Sequence, residues 1–392
     1  MKHKMKHKIL VFIAHYLPAY KAGGPLRTIE NMVAHLADDF DFLIITGDRD
    51  LKDSEPYVQV ELEKWLDVGR AKVYYVPQNK STVKYYQKLI STLEFDIAYL
   101  NSFFATDFTI KPLLALRKTS KNPILLAPRG EFSQGAMSIK SMKKRCYLAL
   151  FSWIYKSLKF QASSVFEAND ILKNLPWLAQ KNIYTALDLP QKYIYDENSL
   201  QYNSSTLLKM IFLSRISPMK NLDSALNILQ EISQPIQFDI YGPIEDLPFW
   251  QRCSEKIAKL PANITVTYCG ALDPRAVATT IAKYDLFFLP TKGENYGHVI
   301  AESLSVGTPV LISNLTPWQN LQQHGLGWEF PLNNPEKFIA TIEMLAVSSI
   351  ATKNELRSKV YKNAHKILSS STEVDKNRKM FLQIIDSRES VN

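Results

Sequence analysis

The chain alternates short, continuous apolar runs with segments of helical apolar spacing, and it does so in two separate series. The first series begins with an apolar run at residues 9–14, followed by a helical pattern at residues 26–36. Unbroken apolar runs are typical of parallel strands, because helices cover both faces of such a sheet. The repeated strand–helix order therefore predicts an α/β protein with doubly wound parallel sheets.

Both series can be followed along the chain. In the first we predict further strands at 40–46, 71–76, 97–100 and 124–127. In the second we predict strands at 209–213, 236–241, 264–268, 286–289 and 308–312, with helices at 222–232, 356–368 and 376–385. The polar stretch 192–205 between the series predicts a domain boundary. We expect domains at 1–196 and 197–370, with a helix in 371–392 that packs back toward the first domain.

Composition excludes several classes of protein. Of the 392 residues, 46% are apolar and 22% are charged, which excludes disordered and collagen-like chains. The longest uncharged apolar run, residues 146–155, has about half of the ~20 residues that span a bilayer, so no transmembrane helix is expected. No secretory signal is recognised at the N-terminus. Three widely separated cysteines without metal-ligand spacing favour a reducing cytoplasm.

Positive charge is concentrated in the first half of the chain. Residues 1–196 carry the whole formal net charge of +9, and residues 197–392 are neutral. Such an asymmetry indicates an anionic partner, which could be a membrane surface, a polyanionic substrate or nucleic acid. The chain contains no recognised nucleic-acid-binding motif.

Within this basic half, residues 140–160 join four cations, including Lys140, to an apolar stretch that ends with Trp153 and Tyr155. A basic helix that bears aromatic residues can lie in an anionic membrane interface. The alternative is a helix with a solvated basic end and a buried body. We favour shallow membrane contact.

The segment 289–302 follows a predicted strand and leads into a helix. Glu294 lies in its loop, and Glu302 follows about two helical turns later. Backbone N–H groups of residues 295–298 would lie at the helix N-terminus, which attracts anions. Both carboxylates can accept hydrogen bonds from sugar or ribose hydroxyls. As two glutamates eight residues apart, the pattern is weak evidence of function.

A second polar segment, residues 213–221, follows the first strand of the second series. Arg215 and Lys220 lie in it, just before a helix. A guanidinium binds phosphate oxygens in a fork, and an ammonium adds a compact charge. The alternative is that both are solvated cations in a turn.

These segments together resemble the retaining GT-B glycosyltransferases of family GT4, the glycosyl transferases group 1. The resemblance rests on residues 214–222, on the two glutamates separated by seven residues, and on Thr308-Pro309 with Thr316-Pro317-Trp318. The loop with Gly23 and Gly24 after the first strand also matches. The likeness covers most of the second half of the chain and extends loosely over the first.

The resemblance implies two Rossmann-like domains facing a cleft. The acceptor would bind mainly to the first domain, and the nucleotide-sugar donor to the second. It implies catalytic roles for Glu294, Arg215 and Lys220, the two cations neutralising the diphosphate. The implied donor-binding residues are Gly23, Gly24, Asn295, Tyr296, Gly297, His298 and Glu302. No metal and no cofactor would be required, since the nucleotide-sugar is a substrate.

The first domain departs from the family pattern at one place. Many relatives carry a histidine near the donor sugar, but residues 100–104 and 127–131 contain none. Asn101, Arg129 and Glu131 are the candidates for that place, as acceptor or donor-sugar contacts. Two roles stay open for Arg129, an acceptor-phosphate ligand or a structural ion-pair partner. Residues 183–188 are interpreted as structural.

We therefore predict a cytoplasmic glycosyltransferase of bacterial surface-polysaccharide assembly, such as capsule, O-antigen or exopolysaccharide. It would transfer a sugar to a lipid-linked saccharide and would contact the anionic inner membrane peripherally. The alternatives are a sugar-nucleotide epimerase of the same fold and a basic nucleic-acid-binding protein. Asp48 and Asp50 have the acid–x–acid spacing of metal-dependent transferases, but we interpret them as part of a loop of alternating charges.

Overall fold

The computed structural model describes residues 6–138, 141–192, 196, 200 and 205–389. The chain forms two compact units. Unit 1 comprises residues 1–192 together with 371–392, and unit 2 comprises residues 193–370. The division falls in the polar stretch 192–205, most of which lies outside the described residues. The chain therefore leaves unit 1 once and returns to it with its last segment.

Unit 1 is built on a mostly parallel sheet. Its described strands are His7–Phe12 (β1), Phe40–Gly47 (β2), Trp65–Val68 (β3), Ala71–Val76 (β4), Ile97–Asn101 (β5), Ile124–Ala127 (β6), Lys159–Ala162 (β7) and Ile183–Thr185 (β8). They are ordered β3-β4-β2-β1-β5-β6-β7-β8. Only the β3–β4 pairing among these strands is antiparallel. The first strand lies centrally, as expected for a doubly wound sheet.

Helices cover both faces of this sheet. The described helices of the first segment are Gly24–Leu36 (α1), Val83–Ile90 (α2), Lys111–Thr119 (α3), Gln134–Ser138 (α4), Ser141–Phe151 (α5) and Val165–Asn174 (α6). Successive strand side chains point to opposite faces, so Ile9 and Val11 enter one core while Leu10 and Phe12 enter the other. All four are fully buried. This explains why β1 has no polar alternation.

Unit 2 is built on a second parallel sheet. Its described strands are Leu208–Leu213 (β9), Ile236–Tyr241 (β10), Ile264–Gly270 (β11), Leu286–Leu289 (β12), Val310–Ser313 (β13) and Gly327–Phe330 (β14), ordered β11-β10-β9-β12-β13-β14. Its described helices are Leu222–Gln230 (α7), Leu247–Ile257 (α8), Val277–Ile281 (α9), His298–Ser305 (α10), Leu321–His324 (α11), Pro335–Ala346 (α12) and Ile350–Leu368 (α13). The α/β fold with two parallel-sheet units agrees with the prediction.

The last helix, Ser371–Glu389 (α14), belongs to unit 1. Phe381 is fully buried and meets the rings of Phe40 and Tyr99 at centroid distances of 5.6 and 5.5 Å. The Asn377 side chain donates to the carbonyl of Leu187 at 2.8 Å. This helix therefore completes one face of the sheet of unit 1.

The sequence analysis did not predict four of the described strands, because these strands lack a continuous apolar run. β3 is an antiparallel edge strand without a fully buried residue. β7 contains the polar Gln161, which is buried and hydrogen-bonded. β8 and β14 are short strands at sheet edges.

The segment predicted to lie in a membrane interface forms α5 and a short 3-10 turn, Ser152–Tyr155. Its apolar body is divided: Ile154 and Tyr155 are buried, whereas Leu150 and Trp153 are exposed. Lys140 lies outside the described residues. Across the described part of the chain, every helix is too short or too polar to cross a lipid bilayer.

Candidate functional site

Three loops of unit 2 meet at the carboxyl edge of its sheet. They follow β9, β12 and β13, which are neighbouring parallel strands. Because the strands are parallel, their carboxyl ends lie at one edge, and this is where α/β sheets bind ligands. Lys220 lies in the loop after β9, and Glu294 in the loop after β12.

Hydrogen bonds join these three loops directly. The backbone N–H of Lys292 donates to the carbonyl of Met219 at 2.9 Å, and the Asn221 side chain donates to the carbonyl of Pro290 at 2.8 Å. The backbone N–H of Glu294 donates to the carbonyl of Leu315 at 3.2 Å. The loops therefore hold one another in position, as a preorganised binding site requires.

Lys220 and Glu294 form an ion pair within this cluster. Lys220 Nζ lies 2.5 Å from Glu294 Oε1, and the two side chains are 13% and 11% exposed. Asn221, next to Lys220, has a φ of 62° and adopts the left-handed conformation. Asparagine tolerates this conformation better than most residues. The pair places an ammonium and a carboxylate side by side at the sheet edge.

Arg215 lies in the same loop as Lys220 but has a different partner. Its Nη1 is 2.8 Å from Glu245 Oε1, and both side chains are more than a third exposed. Gly242 has a φ of 139°, and a Cβ at this residue would lie 1.8 Å from the carbonyl oxygen of Ser214. Only glycine fits there, so the loop after β10 packs directly against the loop that carries Arg215. Within the described residues, no hydrogen bond or ion pair joins Arg215 to Glu294.

Residues 295–298 form the entry into α10. Gly297 caps the helix with a φ of 80°, and a Cβ here would meet Ile300 Cδ1 at 2.8 Å and Glu294 Cγ at 3.6 Å. Glycine therefore suits the left-handed backbone and leaves room for the Ile300 side chain. α10 begins at His298, and Glu302 lies half-buried within it. Asn295 is also half-buried.

Two aromatic rings support this entry. Tyr296 is buried, and its ring lies 4.8 Å from that of His298 and 5.6 Å from that of Trp318. Trp318 Nε1–H donates to the carbonyl of Tyr296 at 2.7 Å. The structure therefore brings residues 294–298 together with the loop after β13. It gives Trp318 a positioning role that the motif alone did not assign.

Thr291 is a positioning residue that sequence analysis missed. It is fully buried, its hydroxyl donates to the carbonyl of Met219 at 3.2 Å, and its own carbonyl accepts from the Ser313 hydroxyl at 2.5 Å. It thereby connects all three loops. A threonine two residues after the buried strand β12 was the only available signal.

The other predicted donor-binding residues, Gly23 and Gly24, lie in unit 1. Gly23 caps α1 with a φ of 71°, which favours glycine. A Cβ added to either residue would meet no atom within 4 Å. The nearby Asp50 carboxylate accepts from the backbone N–H groups of Tyr20 and Lys21 at 2.8 and 3.1 Å. Asp50 therefore holds the loop that leads to the two glycines, whose donor role stays a prediction.

Asn101, Arg129 and Glu131 are brought together at the carboxyl edge of the unit 1 sheet. Arg129 pairs with Asp188 at 2.5 Å, and these side chains are only 5% and 3% exposed. Its Nη2 donates to Tyr99 Oη at 2.5 Å and to Asn101 Oδ1 at 2.8 Å. These contacts favour the structural ion-pair role for Arg129. They also agree with the structural interpretation of Asp188.

Glu131 is held by a separate set of donors. It accepts from the Ser102 hydroxyl at 2.8 Å and from the backbone N–H groups of Phe103 and Phe104 at 2.5 and 3.1 Å. Burial nevertheless raises the pKa of this carboxyl above its usual range, because burial disfavours the charged form. Ser102 has a φ of 101°, an uncommon conformation for a residue other than glycine. Glu131 thus stabilises the loop after β5.

Comparison with known proteins shows similarity over the part of the chain that contains the three loops. Residues 197–367 match the model of the family Glycosyl transferases group 1, which is less than half of the chain. An "Uncharacterized 41.2 kDa protein in cps region" of Klebsiella pneumoniae is 25% identical over 255 residues. That match covers 61% of this chain and 66% of the relative, just under two thirds of its length.

Solved structures show the same fold over almost the whole chain. Alr3699/HepE of Anabaena, in complex with UDP and glucose, superposes with a TM-score of 0.65 at 13% identity, covering 96% of this chain and 99% of that one. Sucrose-phosphate synthase of Thermosynechococcus elongatus superposes with a TM-score of 0.69 at 14% identity, covering 97% and 100%. Residues 197–367 therefore carry a Glycosyl transferases group 1 domain, in a chain whose two parallel-sheet units have the GT-B fold.

Proposed function

We propose that this chain is a retaining, metal-independent glycosyltransferase that transfers a sugar from a nucleotide-sugar donor to a saccharide acceptor in polysaccharide assembly. The observation that carries the proposal is the Lys220–Glu294 pair at the carboxyl edge of the unit 2 sheet. The family match over residues 197–367 supports the reaction class. The complexes of Alr3699/HepE with UDP and with UDP-glucose support a nucleotide-sugar donor.

The chemical role of Lys220 follows from the charge that develops during transfer. When the bond between C1 of the sugar and the phosphate oxygen breaks, the electron pair goes to the oxygen. Lys220 has two further N–H donors besides the one directed at Glu294, and these can bind the departing diphosphate. Because that oxygen gains charge in the transition state, the ammonium stabilises the transition state more than the bound donor. A metal ion is then not required for this role.

Arg215 provides a second cation for the diphosphate. Its pair with Glu245 is exposed on both sides. Exposed ion pairs contribute only ~0–1 kcal/mol of stability. Arg215 can therefore leave Glu245 and bind a phosphate at little energetic cost. A guanidinium binds two phosphate oxygens at once.

Glu294 has two roles in the proposal. Its carboxylate fixes the Lys220 ammonium, and it accepts a hydrogen bond from a donor-sugar hydroxyl. Glu302 lies inside α10, about one turn after its first residue, and accepts hydrogen bonds from the ribose hydroxyls. No protein nucleophile is required if the acceptor hydroxyl attacks C1 on the face from which the phosphate departs. A new C1–O bond then forms, and the acceptor proton goes to the departing phosphate oxygen.

The acceptor that we propose is a lipid-linked saccharide met at the cytoplasmic face of a membrane. The relative from Klebsiella pneumoniae comes from a cps region, and this context supports a role in capsule-type polysaccharide assembly. The basic character of residues 1–196 supports an anionic acceptor or an anionic surface.

The donor is tested by a thermal-shift screen of UDP-, GDP-, ADP- and dTDP-sugars on the purified chain. A ligand at 100 times its Kd adds about 2.7 kcal/mol of stability, so the correct nucleotide should raise Tm clearly above the others. Transfer is then measured with the selected donor and membrane-extracted acceptor lipids. A change of sugar configuration without transfer would indicate the epimerase alternative instead.

The site is tested by Glu294→Ala and Lys220→Ala, each expected to lower kcat/KM by on the order of 10²-fold or more. Lys292→Ala is the matched control, because Lys292 is an exposed lysine of the same loop as Glu294. Turnover close to that of the parent chain in both site variants would refute the assigned roles.

A further inference from the structure

Helix α5 of unit 1 directs an apolar stripe toward solvent. Met142, Leu150 and Trp153 are 78%, 65% and 59% exposed, and Cys146 is exposed between them. Met142, Cys146 and Leu150 follow the spacing i, i+4 and i+8, which places them on one face of a helix. Phe151, at the end of α5, is also 46% exposed. Large apolar side chains clustered on a surface in this way mark an interaction site.

The opposite face of α5 is the one that packs on unit 1. The Tyr147 ring lies 5.8 Å from that of Phe104, and its hydroxyl is 2.6 Å from that of Tyr155. Lys144 Nζ lies 4.9 Å from the centroid of the Phe104 ring. The orientation of the helix is therefore fixed by its own aromatic contacts. The exposed stripe is a consequence of that orientation.

Cations border the stripe, and acids are missing from its sequence neighbourhood. Lys143 and Arg145 lie on the two sides of the stripe, and Lys156 follows the 3-10 turn; all three are exposed. In the part of the chain that the structure describes, none of them forms an ion pair with a carboxylate. No aspartate or glutamate occurs between Glu131 and Glu167. The surface therefore combines exposed apolar side chains with uncompensated positive charge.

We propose that this face of α5 and the following 3-10 turn, the α5 surface, docks in the interface of an anionic lipid bilayer. The apolar stripe would enter the acyl boundary while Lys143, Arg145 and Lys156 bind lipid phosphates. Tryptophan suits this depth, because its ring is apolar and its N–H can bind the polar layer. The inference deepens the proposed function, since it states where a lipid-linked acceptor would be met.

The charges favour a lipid partner over a second copy of the chain. In a two-fold symmetric dimer through this face, the same surface would lie on both sides of the interface. The cations of one copy would then oppose those of the other, with no carboxylate in this segment to compensate them. An anionic bilayer instead supplies the complementary charge over its whole surface.

Vesicle co-sedimentation of the full chain tests the proposal. Vesicles of phosphatidylcholine alone are compared with vesicles that contain phosphatidylglycerol, at low and at raised salt, without nucleotide or acceptor. We expect binding to the anionic vesicles only, and weaker binding at raised salt, because salt screens exposed charges. One cation near an anionic bilayer contributes about fivefold in binding. Lys143→Glu with Arg145→Glu should therefore lower the partition coefficient by at least about 25-fold.

Leu150→Asp tests the apolar stripe and should also abolish vesicle binding, since a carboxylate cannot enter the acyl boundary. The control for charge is Lys259→Glu with Lys366→Glu, and the control for the apolar change is Val347→Asp. These residues are exposed in unit 2, and binding should persist in both controls. Circular dichroism and Tm verify that every variant is folded.

Equal binding of the parent chain to neutral and anionic vesicles, or no binding at all, would overturn the proposal. So would a concentration-dependent dimer, seen by light scattering, that Leu150→Asp dissociates while vesicle binding is unchanged. The assay contains no donor sugar. Loss of vesicle binding with an intact nucleotide thermal shift would therefore refute the α5 surface and leave the proposed glycosyl transfer standing.

Discussion

The two units each hold a cation–carboxylate pair at the carboxyl edge of their sheet, yet the pairs differ in what remains free to bind. In unit 1, Arg129 directs its donors to Asp188, Asn101 and Tyr99, all within the unit. In unit 2, Lys220 directs one donor to Glu294. At the same edge of the sheet, the Arg129 guanidinium is used within unit 1, whereas the Lys220 ammonium keeps donors with which it can bind a ligand. A buried, charged motif residue is thus weak evidence for a ligand until its donors are accounted for.

The largest effect should come from breaking the unit 1 pair. Arg129→Met leaves the carboxylate of Asp188 buried without its cation, so the free energy of unfolding should fall by about 3–5 kcal/mol. Urea unfolding followed by circular dichroism measures this change. The double variant Arg129→Met with Asp188→Leu removes both charges and should recover much of the loss. A small effect of the single variant would contradict the structural role of Arg129.

The unit 2 pair should show the opposite balance between stability and activity. Lys220→Met should raise the activation free energy by about 2.7–4 kcal/mol, as expected when one positioned charge-stabilising group is lost. Its cost in unfolding free energy should be smaller than that of Arg129→Met, because the lysine is the more exposed cation. Parallel measurements of kcat/KM and urea unfolding compare the two variants. Equal losses of unfolding free energy in Lys220→Met and Arg129→Met would contradict the proposed difference between the two ion pairs.

A smaller effect is expected from pH acting on His365 of unit 2. This side chain is buried beside the carbonyl of Ser305, and burial lowers its pKa below the ordinary value of 6.5. Between the lowered pKa and 6.5, His365 binds a proton in the unfolded chain but not in the folded chain. The free energy of unfolding should therefore fall as pH drops from 7 to 5, by at most about 1.4 kcal/mol per pH unit for this residue.

His365→Gln should flatten that pH dependence, and urea unfolding at several pH values measures it. Glutamine can still donate to Ser305, so the comparison isolates the titration. His324→Gln replaces an exposed histidine of the same unit and serves as the control. A slope that is identical in the parent chain and in His365→Gln would contradict the prediction.

The smallest expected effect is that of metal removal. If Lys220 and Arg215 neutralise the diphosphate, excess EDTA should leave turnover unchanged, because protein cations supply the charge stabilisation. Initial rates with and without EDTA, and after addition of Mg²⁺ or Mn²⁺, measure this. Loss of turnover that Mg²⁺ restores would show that the unit 2 cations are not sufficient.

The fold followed from sequence most closely where a strand is a continuous apolar run buried on both faces. Ala71–Val76, Ile124–Ala127, Ile236–Tyr241 and Leu286–Leu289 have the predicted bounds. The search for continuous apolar runs missed β3, which is only partly buried, and β7, where Gln161 interrupts the apolar run. Burial on both faces leaves a signal in composition, whereas partial burial depends on which other segments happen to cover the strand.

The site could be predicted only in part. Lys220 and Glu294 were expected to act at one site because the resemblance to the GT-B glycosyltransferases implied it, and the structure joins them in an ion pair. The loop that carries Lys220 ends in the left-handed backbone of Asn221, and the turn after Glu294 needs glycine at Gly297, and no spacing rule gives either conformation. The sequence likewise left two roles open for Arg129, and its ion pair with Asp188, which is distant in sequence, favours the structural one.

The return of α14 to unit 1 has a consequence for how the chain emerges from a ribosome. Phe40 and Tyr99 are synthesised early, yet their ring partner Phe381 is among the final residues of the sequence. The part of that sheet face which α14 covers must therefore stay uncovered while the entire intervening unit is translated. During that interval the nascent chain would depend on chaperones or on provisional contacts, and a truncation before residue 371 would make the exposure permanent.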